Sequence, residues 1–196
     1  MHAGAGGVGS AAIQLGKAFG ARVIATAGGP EKVAFCKELG ADEAIDYRDG
    51  GFAEAVVDAT FGAGVDVCLD TVGGSVTQES FRCMGMNGRI LLVGYAEDIT
   101  NDGAPLNPAP AIYGNFGLLG VCLAYAADPL AHRMATGLNW PSRASGVEAH
   151  QRLLAMLRDG DIRTVVTSTV PFDQLPAAME RQERRETTGR TVVTLG

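Results

Sequence analysis

Two rhythms of apolar residues alternate along this chain from one end to the other. Val8, Ala12, Leu15 and Phe19 recur at steps of four, three and four, which places them on one face of a helix. Gly20 stands where a helix end takes a left-handed glycine. Residues 22–26 then form a short β-branched run, the pattern of a strand buried on both faces. Pro30 opens a helix over 31–39, closed by Gly40. The alternation continues with a strand at 44–47, a helix at 52–59, a strand at 65–69, a helix at 76–84 and a strand at 89–93. Residues 99–110 carry three prolines and read as a loop, and 116–123 as a further strand. Gly137, Pro141 and Gly146 interrupt any long helix over 128–147. A helix follows at 148–157, with Leu153, Leu154 and Leu157 on one face. A strand at 164–170, a charged amphipathic helix at 174–185 and a last strand at 191–195 complete the chain. Short buried strands alternating with helices predict an α/β fold with a doubly wound parallel sheet in the order 3-2-1-4-5-6.

Composition narrows this picture. A length of 196 residues suits one ordinary domain with room for an appendage and is enough to bury a sizeable core. The net charge of -6 argues against a general nucleic-acid or acidic-membrane surface. No apolar run reaches bilayer length and no secretory leader opens the chain, so a cytoplasmic protein is expected. Cys36, Cys68, Cys83 and Cys122 are scattered, and with His2, His132 and His150 they show no metal-ligand spacing. Buried small thiols and no metal site are the expectation.

The candidate chemistry sits at the start. Gly4, Gly6 and Gly9 spell G-x-G-x-x-G at the head of the first helix. In such a turn the first glycine makes the bend, the second admits a pyrophosphate to the backbone, and the third lets the helix pack closely. The helix N-terminus then offers free N–H groups and partial positive charge to phosphate. The strand that should precede this turn is reduced to Met1-His2-Ala3. A ribose-binding acid belongs roughly twenty residues on, and that place holds Thr26-Ala27-Gly28-Gly29, without a carboxylate. Small residues there, with Lys32 beyond them, leave room and positive charge for a 2′-phosphate, although Lys32 reads equally well as a solvated first-turn lysine. Tyr47 ends the third strand and either covers an adenine or is simply half-exposed. Val72-Gly73-Gly74 and Gly94-Tyr95 follow the fourth and fifth strands and would edge the same crevice, or serve as plain turns. No nucleophile elbow or P-loop is present, because Ser10 lies outside G-x-S-x-G and the turn lacks G-K-[ST]. A methyltransferase is conceivable, but would also want an acid after the second strand.

Three stretches come in order: Ala3-Gly4-Ala5-Gly6-Gly7-Val8-Gly9, Val65-Asp66-Val67-Cys68-Leu69-Asp70-Thr71-Val72-Gly73-Gly74, and Gly88-Arg89-Ile90-Leu91-Leu92-Val93-Gly94. Together they resemble the medium-chain dehydrogenase/reductase superfamily, in its zinc-independent NADPH:quinone oxidoreductase (zeta-crystallin-like) branch. The resemblance implies a Rossmann-type domain over 1–160 binding NADPH/NADP, and hydride transfer to a small-molecule quinone, enone or aldehyde. It implies that the backbone of Gly6, Gly7 and Val8 holds the pyrophosphate, within the turn that Gly4 and Gly9 shape. Lys32, Tyr47 and Arg185 match contacts to the 2′-phosphate, with Thr26 and Gly28 beside them. Val72, Gly94, Tyr95, Val121 and Leu123 would lie along the nicotinamide end. The 116–123 strand resembles the edge through which such enzymes form homodimers. Residues 161–196 resemble the segment that returns to a GroES-like catalytic domain. Nothing in this sequence corresponds to that domain, so no catalytic residue is nominated. The resemblance is to the cofactor-binding half, N-terminally truncated.

Two other readings stand beside the oxidoreductase: a non-catalytic dinucleotide-binding or interaction module, and an inactive fragment. Burying one apolar side chain is worth about 1.5–3 kcal/mol. A largely missing central strand therefore forfeits on the order of 5–10 kcal/mol, comparable with a domain's net stability, and a marginal, aggregation-prone chain is expected.

Overall fold

One short strand shows how the layers are arranged. β1 (Ile24–Ala27) is buried along its whole length. Ile24 packs with Phe52, Ala53, Val56 and Cys83 on one face of the sheet, while Ala25 and Ala27 pack with Ile13, Cys36 and Leu39 on the other. Successive side chains of a strand point to opposite faces, so both faces need a cover. α3 (Phe52–Ala59) and α4 (Gly74–Ser80) cover the first, α1 (Gly7–Ala18) and α2 (Pro30–Glu38) the second. This computed structural model describes residues 1–96 and 106–195. Most of residues 99–110, read from the sequence as a loop, lies outside them.

All strand pairs are parallel. β1 pairs with β2 (Glu43–Asp46), β3 (Val65–Asp70) with β4 (Met84–Leu92), and β4 with β5 (Gly117–Gly120). Residues 1–4 lie between β1 and β3. Thr26 N–H donates to the Met1 carbonyl at 2.9 Å and Gly4 N–H to the Thr26 carbonyl at 2.9 Å; on the other side His2 N–H donates to the Leu69 carbonyl at 3.1 Å. These four residues form no regular strand, yet they close the seam and produce the expected order, β2-β1-(1–4)-β3-β4-β5. A third cluster of Cys68, Phe81, Ile90 and Phe116 fills the β3–β5 side.

Several boundaries differ from expectation for local reasons. Tyr47 opens a 3-10 turn instead of ending β2, because the Asp46 carboxylate accepts from Arg48 N–H at 3.0 Å and bends the chain there. α4 stops at Ser80, a 3-10 turn covers 81–83, and Met84 already belongs to β4. The expected 116–123 strand pairs only over Gly117–Gly120. Pro110 lies inside a short helix, α5 (Ala109–Gly114), where it occupies the first turn, in which its missing N–H does no harm. The ambiguous stretch after Asp128 resolves into α6 (Pro129–Thr136) and α7 (Arg143–Asp159). Asp128 and Ser142 cap their N-termini, and Gly137 (φ +77°) ends the first of them. Cys36, Cys68 and Cys83 are buried, whereas Cys122 is exposed, contrary to expectation.

β6 (Val166–Pro171) and β7 (Arg190–Thr194) pair in parallel and are connected through α8 (Leu175–Glu183). This pair is tied to the start of the chain. Gln14 clamps the Arg163 backbone, accepting from its N–H at 2.9 Å and donating to its carbonyl at 3.1 Å, and Gly189 N–H donates to the Ala5 carbonyl at 2.8 Å. Among the described residues no helix is long and apolar enough to cross a membrane.

Candidate functional site

The C-terminal ends of the 1–4 segment, β1 and β3 open into a cavity of about 510 Å³. In open α/β sheets this end, beside the point where strand order reverses, is where ligands bind. Of the residues nominated from sequence, Gly6, Gly7, Thr26, Gly28, Lys32, Tyr47, Val72 and Arg185 line it. Gly4, Val8, Gly9, Gly94, Tyr95, Val121 and Leu123 do not.

The glycine turn is built by an unexpected residue. Its left-handed position is Ala3 (φ +49°), and Gly6 N–H donates back to the Ala3 carbonyl at 2.9 Å. Gly4 is needed for space: a Cβ there would stand 2.8 Å from Cys36 Sγ and 2.9 Å from Ala25 Cβ. At Gly9 a Cβ would stand 2.2 Å from the Ala3 carbonyl oxygen, so that glycine lets α1 press against the turn, as expected. Gly6 is the N-cap of α1, with no side chain capping it and no acid in the first turn. The helix therefore presents its positive end to the cavity uncompensated.

Arg190, which sequence reasoning missed, lies on that positive end. A Cβ on Gly7 would meet its Nε at 2.3 Å, so the guanidinium rests against the first helical residue. It lines the cavity from the start of β7, remote in sequence but brought close by the Gly189–Ala5 bond.

A second group of cations lies across the cavity. Lys32 Nζ donates to the Arg185 carbonyl, and Arg185 takes a left-handed conformation (φ +58°) just past α8. Partial burial, followed by the charges of Arg185 and Arg48, holds the Lys32 ammonium below its ordinary range. The hydroxyl of Tyr47 lies 2.5 Å from where a Gly28 Cβ would be, so the ring covers Gly28. The place of a ribose-binding acid is thus occupied by side chains from after the next strand.

Beneath the cavity, His2 joins three elements. Its Nε2 lies 2.8 Å from Ser80 Oγ and its Nδ1 2.9 Å from Thr26 Oγ1. Ser80 Oγ donates its own proton to the Val76 carbonyl at 2.7 Å, so Nε2 carries the imidazole proton and Nδ1 accepts from Thr26. Burial, reinforced by the charge of the neighbouring amino terminus, pushes the imidazole down to about 4, and it is neutral at pH 7. Phe52 meets its ring edge-on at a centroid distance of 4.8 Å. The fully buried Asp70 accepts from Val72 N–H at 2.8 Å, from Gly73 N–H at 3.0 Å and from the Thr77 hydroxyl, fixing the turn that brings Val72 to the cavity. Gly73 then packs against Tyr95, while Val121 and Leu123 are exposed and do not line the cavity.

Residues 7–139 match the family described as zinc-binding dehydrogenase. A highly reducing polyketide synthase of Eupenicillium brefeldianum is 30% identical over 200 residues, covering 100% of this chain and 8% of the synthase. Prostaglandin reductase 1 of Mus musculus is 30% identical over 197 residues, covering 98% of this chain and 55% of the reductase. The solved structure of Escherichia coli quinone oxidoreductase complexed with NADPH aligns with a TM-score of 0.81 at 26% identity, covering 99% of this chain and 56% of that one. The chain thus spans about half of the reductases it matches, and a small part of the synthase. Among the described residues no group of three or more His, Cys, Asp and Glu side chains is placed to hold a metal ion. The zinc of the family's description finds no donor set there.

Proposed function

This chain belongs to the zinc-binding dehydrogenase family, and from that premise we propose that it binds NADPH in the glycine-lined cavity, as the cofactor-binding part of an oxidoreductase acting on a quinone, enone or aldehyde. One observation carries the reading: positive charge converges on the cavity from two sides, and no acid is among the described residues that line it. The uncapped end of α1 meets Arg190 on one side, and Lys32 meets Arg185 on the other. Like charges held together destabilise a fold unless an anion joins them. Two separate clusters suit a dinucleotide with a pyrophosphate and a 2′-phosphate.

In this reading the amides of Gly6, Gly7 and Val8, with the Arg190 guanidinium, hold the pyrophosphate, and Gly4 and Gly9 keep the cradle's shape. Lys32, Arg185 and the Tyr47 hydroxyl hold the 2′-phosphate, while Thr26 and Gly28 lie along the adenosine ribose. Val72 faces the nicotinamide end, with Tyr95 and Gly94 packed behind Gly73. Val121 and Leu123, assigned to that end by the resemblance, would reach it only if the cleft extended beyond the residues that line the cavity. The cofactor supplies the hydride when bound; this chain's residues bind and orient it. β5 is the last strand of its sheet among the described residues, and its outer edge, within 116–123, is where a second copy would pair; the protein would act in the cytoplasm. E. coli quinone oxidoreductase, solved with NADPH, supports the cofactor assignment.

The test is equilibrium binding. NADPH is expected to bind more tightly than NADH. Lys32→Ala or Arg185→Ala is expected to weaken NADPH about tenfold or more, the scale of one charge-assisted hydrogen bond, while sparing NADH. Equal affinities in the parent chain count against the reading. The exposure of Val121 and Leu123, neither of which lines the cavity, favours, as a second reading, a dinucleotide-binding module without turnover. Quinone-dependent oxidation of NADPH by the purified chain excludes that alternative.

A further inference from the structure

The preference for a 2′-phosphate depends on what the carboxylates near the ribose site are doing, and one of them is held in an unusual way. Asp46 ends β2 level with Ala27, the last residue of β1, in the parallel register. That places a carboxylate one strand over from Gly28 and Gly29, where a 2′-hydroxyl-binding acid would stand. Its two oxygens bond chiefly to Arg48, whose Nε donates to Oδ1 at 3.2 Å, Nη2 to Oδ2 at 3.0 Å and backbone N–H to Oδ1 at 3.0 Å, with the Gly29 backbone N–H as a further donor. The side chain of Asp46 is only 14% exposed while that of Arg48 is 56% exposed, so the guanidinium covers the carboxylate from the solvent side. The same guanidinium lies flat on the α2 N-cap. A Cβ on Gly29 would meet its NH2 at 2.4 Å and its Cζ at 2.8 Å. Gly29 (φ +100°) therefore leaves this place to Arg48 both by its lack of a side chain and by its backbone conformation.

We infer that Arg48 is a positioning residue for cofactor choice: it turns and neutralises the Asp46 carboxylate, which would otherwise face the 2′-phosphate site formed by Lys32, Tyr47 and Arg185. The inference rests on the NADPH reading of that site. Two further facts agree with it. The Asp46 carboxyl is held down to about 2, chiefly by its hydrogen bond to Arg48, so it carries a full charge at any working pH. Arg48 also acts on Lys32 through space, so its charge stands close enough to reach the phosphate-binding ammonium. Removing the arginine alone leaves an uncovered negative charge beside the site; removing both charges restores neutrality. A direct phosphate contact by Arg48 would not show that recovery.

The experiment measures dissociation constants for NADPH and NADH, at one fixed ionic strength, on the 196-residue chain and on R48A, D46N/R48A and K32A. R48A is expected to weaken NADPH about fivefold, the upper range for one exposed charge pair, with NADH changed less than about twofold or slightly tighter. D46N/R48A is expected to return NADPH to within about twofold of the parent. Unchanged NADPH binding in R48A overturns the inference. So does an equal loss of both nucleotides, which is what a purely structural role would give, and so does a double variant no better than R48A. A parent chain with no preference for NADPH, together with an indifferent K32A, sinks the reading of the site and the inference with it. A parental preference lost in K32A but kept in R48A sinks the inference alone.

Discussion

At the scale of single residues, His2 is the group whose protonation matters most to the site it underlies. It accepts one hydrogen bond and donates another, and both partners require the neutral ring. Its pKa in the fold, about 4, lies below the ordinary 6.5. The unfolded chain therefore takes up a proton as pH falls through 6.5 while the folded chain resists until near 4. The contribution of this residue is full above about pH 6.5 and declines as pH falls toward 4, by up to about 3 kcal/mol. The Met1 amine, pushed below its ordinary value by burial, adds a loss that begins at higher pH. Asp42 and Asp46, held down chiefly by Lys17 and Arg48, add their own loss only in more acid solution, through the ordinary carboxylate range and below. Thermal melts between pH 7.5 and 4.5 should fall steeply in the parent chain. They should flatten in His2→Asn, which starts lower and has no ring to protonate. Parallel slopes in the two proteins would show that the acid sensitivity lies elsewhere.

At the scale of elements, the glycine turn and α1 show how unequal superficially similar glycines are. A Cβ on Gly9 would collide with the backbone of Ala3 and Gly4, which cannot move without breaking the turn. Gly9→Ala is expected to cost at least about 1–3 kcal/mol and to abolish NADPH binding. A Cβ on Gly7 would meet only the end of Arg190, a flexible side chain. Gly7→Ala should stay within about 1 kcal/mol of the parent in stability and still weaken NADPH, because the methyl group and the displaced guanidinium both intrude on the pyrophosphate. Denaturant titration beside nucleotide binding separates the two variants. A Gly7→Ala protein with normal affinity would remove the pyrophosphate from this place. Sequence periodicity suffices to locate α1, α2, α3 and the order of the strands, because each buries a face whose spacing is fixed by its own geometry. The glycines are marked by their motif spacing, and Lys32 and Tyr47 only by the resemblance to a known family, since their residue types alone fit a solvated lysine and a half-exposed tyrosine equally well. The sequence does not reach Ala3 as the left-handed residue, since nothing in an alanine advertises a positive φ. Nor does it reach Arg190 or the Asp46–Arg48 pair, whose roles depend on which segment folds back over which. The split of 128–147 into two helices is set by Asp128, Gly137 and Ser142 acting as caps, and those cues are legible only once the helix ends are known.

At the scale of the whole molecule, the question is how firmly the two halves of the sheet are joined. The β2–β1 pair and the β3–β4–β5 set make no direct ladder with each other; residues 1–4 lie between them. That seam consists of three backbone bonds, the amino-terminal bond to the Ile24 carbonyl at 2.8 Å, and the His2 contacts to Thr26, Ser80 and Phe52. The side-chain share is apolar only in part, whereas a full central strand would bury several large residues. Elsewhere the chain exposes much apolar surface, including Phe61 at 93%, Tyr113 at 84%, Met134 at 80% and Leu195 at 80%. Large exposed apolar side chains favour self-association. A broad thermal transition at modest temperature, with light scattering that rises with protein concentration, is the expected behaviour. Opening at the seam should also precede global unfolding, since local stability follows local burial and bonding. The amides of His2, Gly4 and Thr26 should then exchange with deuterium faster than that of Ile90, which lies fully buried at the centre of the three-stranded set, by on the order of tenfold or more. NADPH should slow the seam amides most, because the cradle it occupies begins at Ala3 and ends on α1, on the C-terminal side of that same seam. Equal protection of all four amides, or a sharp two-state melt at high temperature, would mean that four residues join the sheet as well as a strand does.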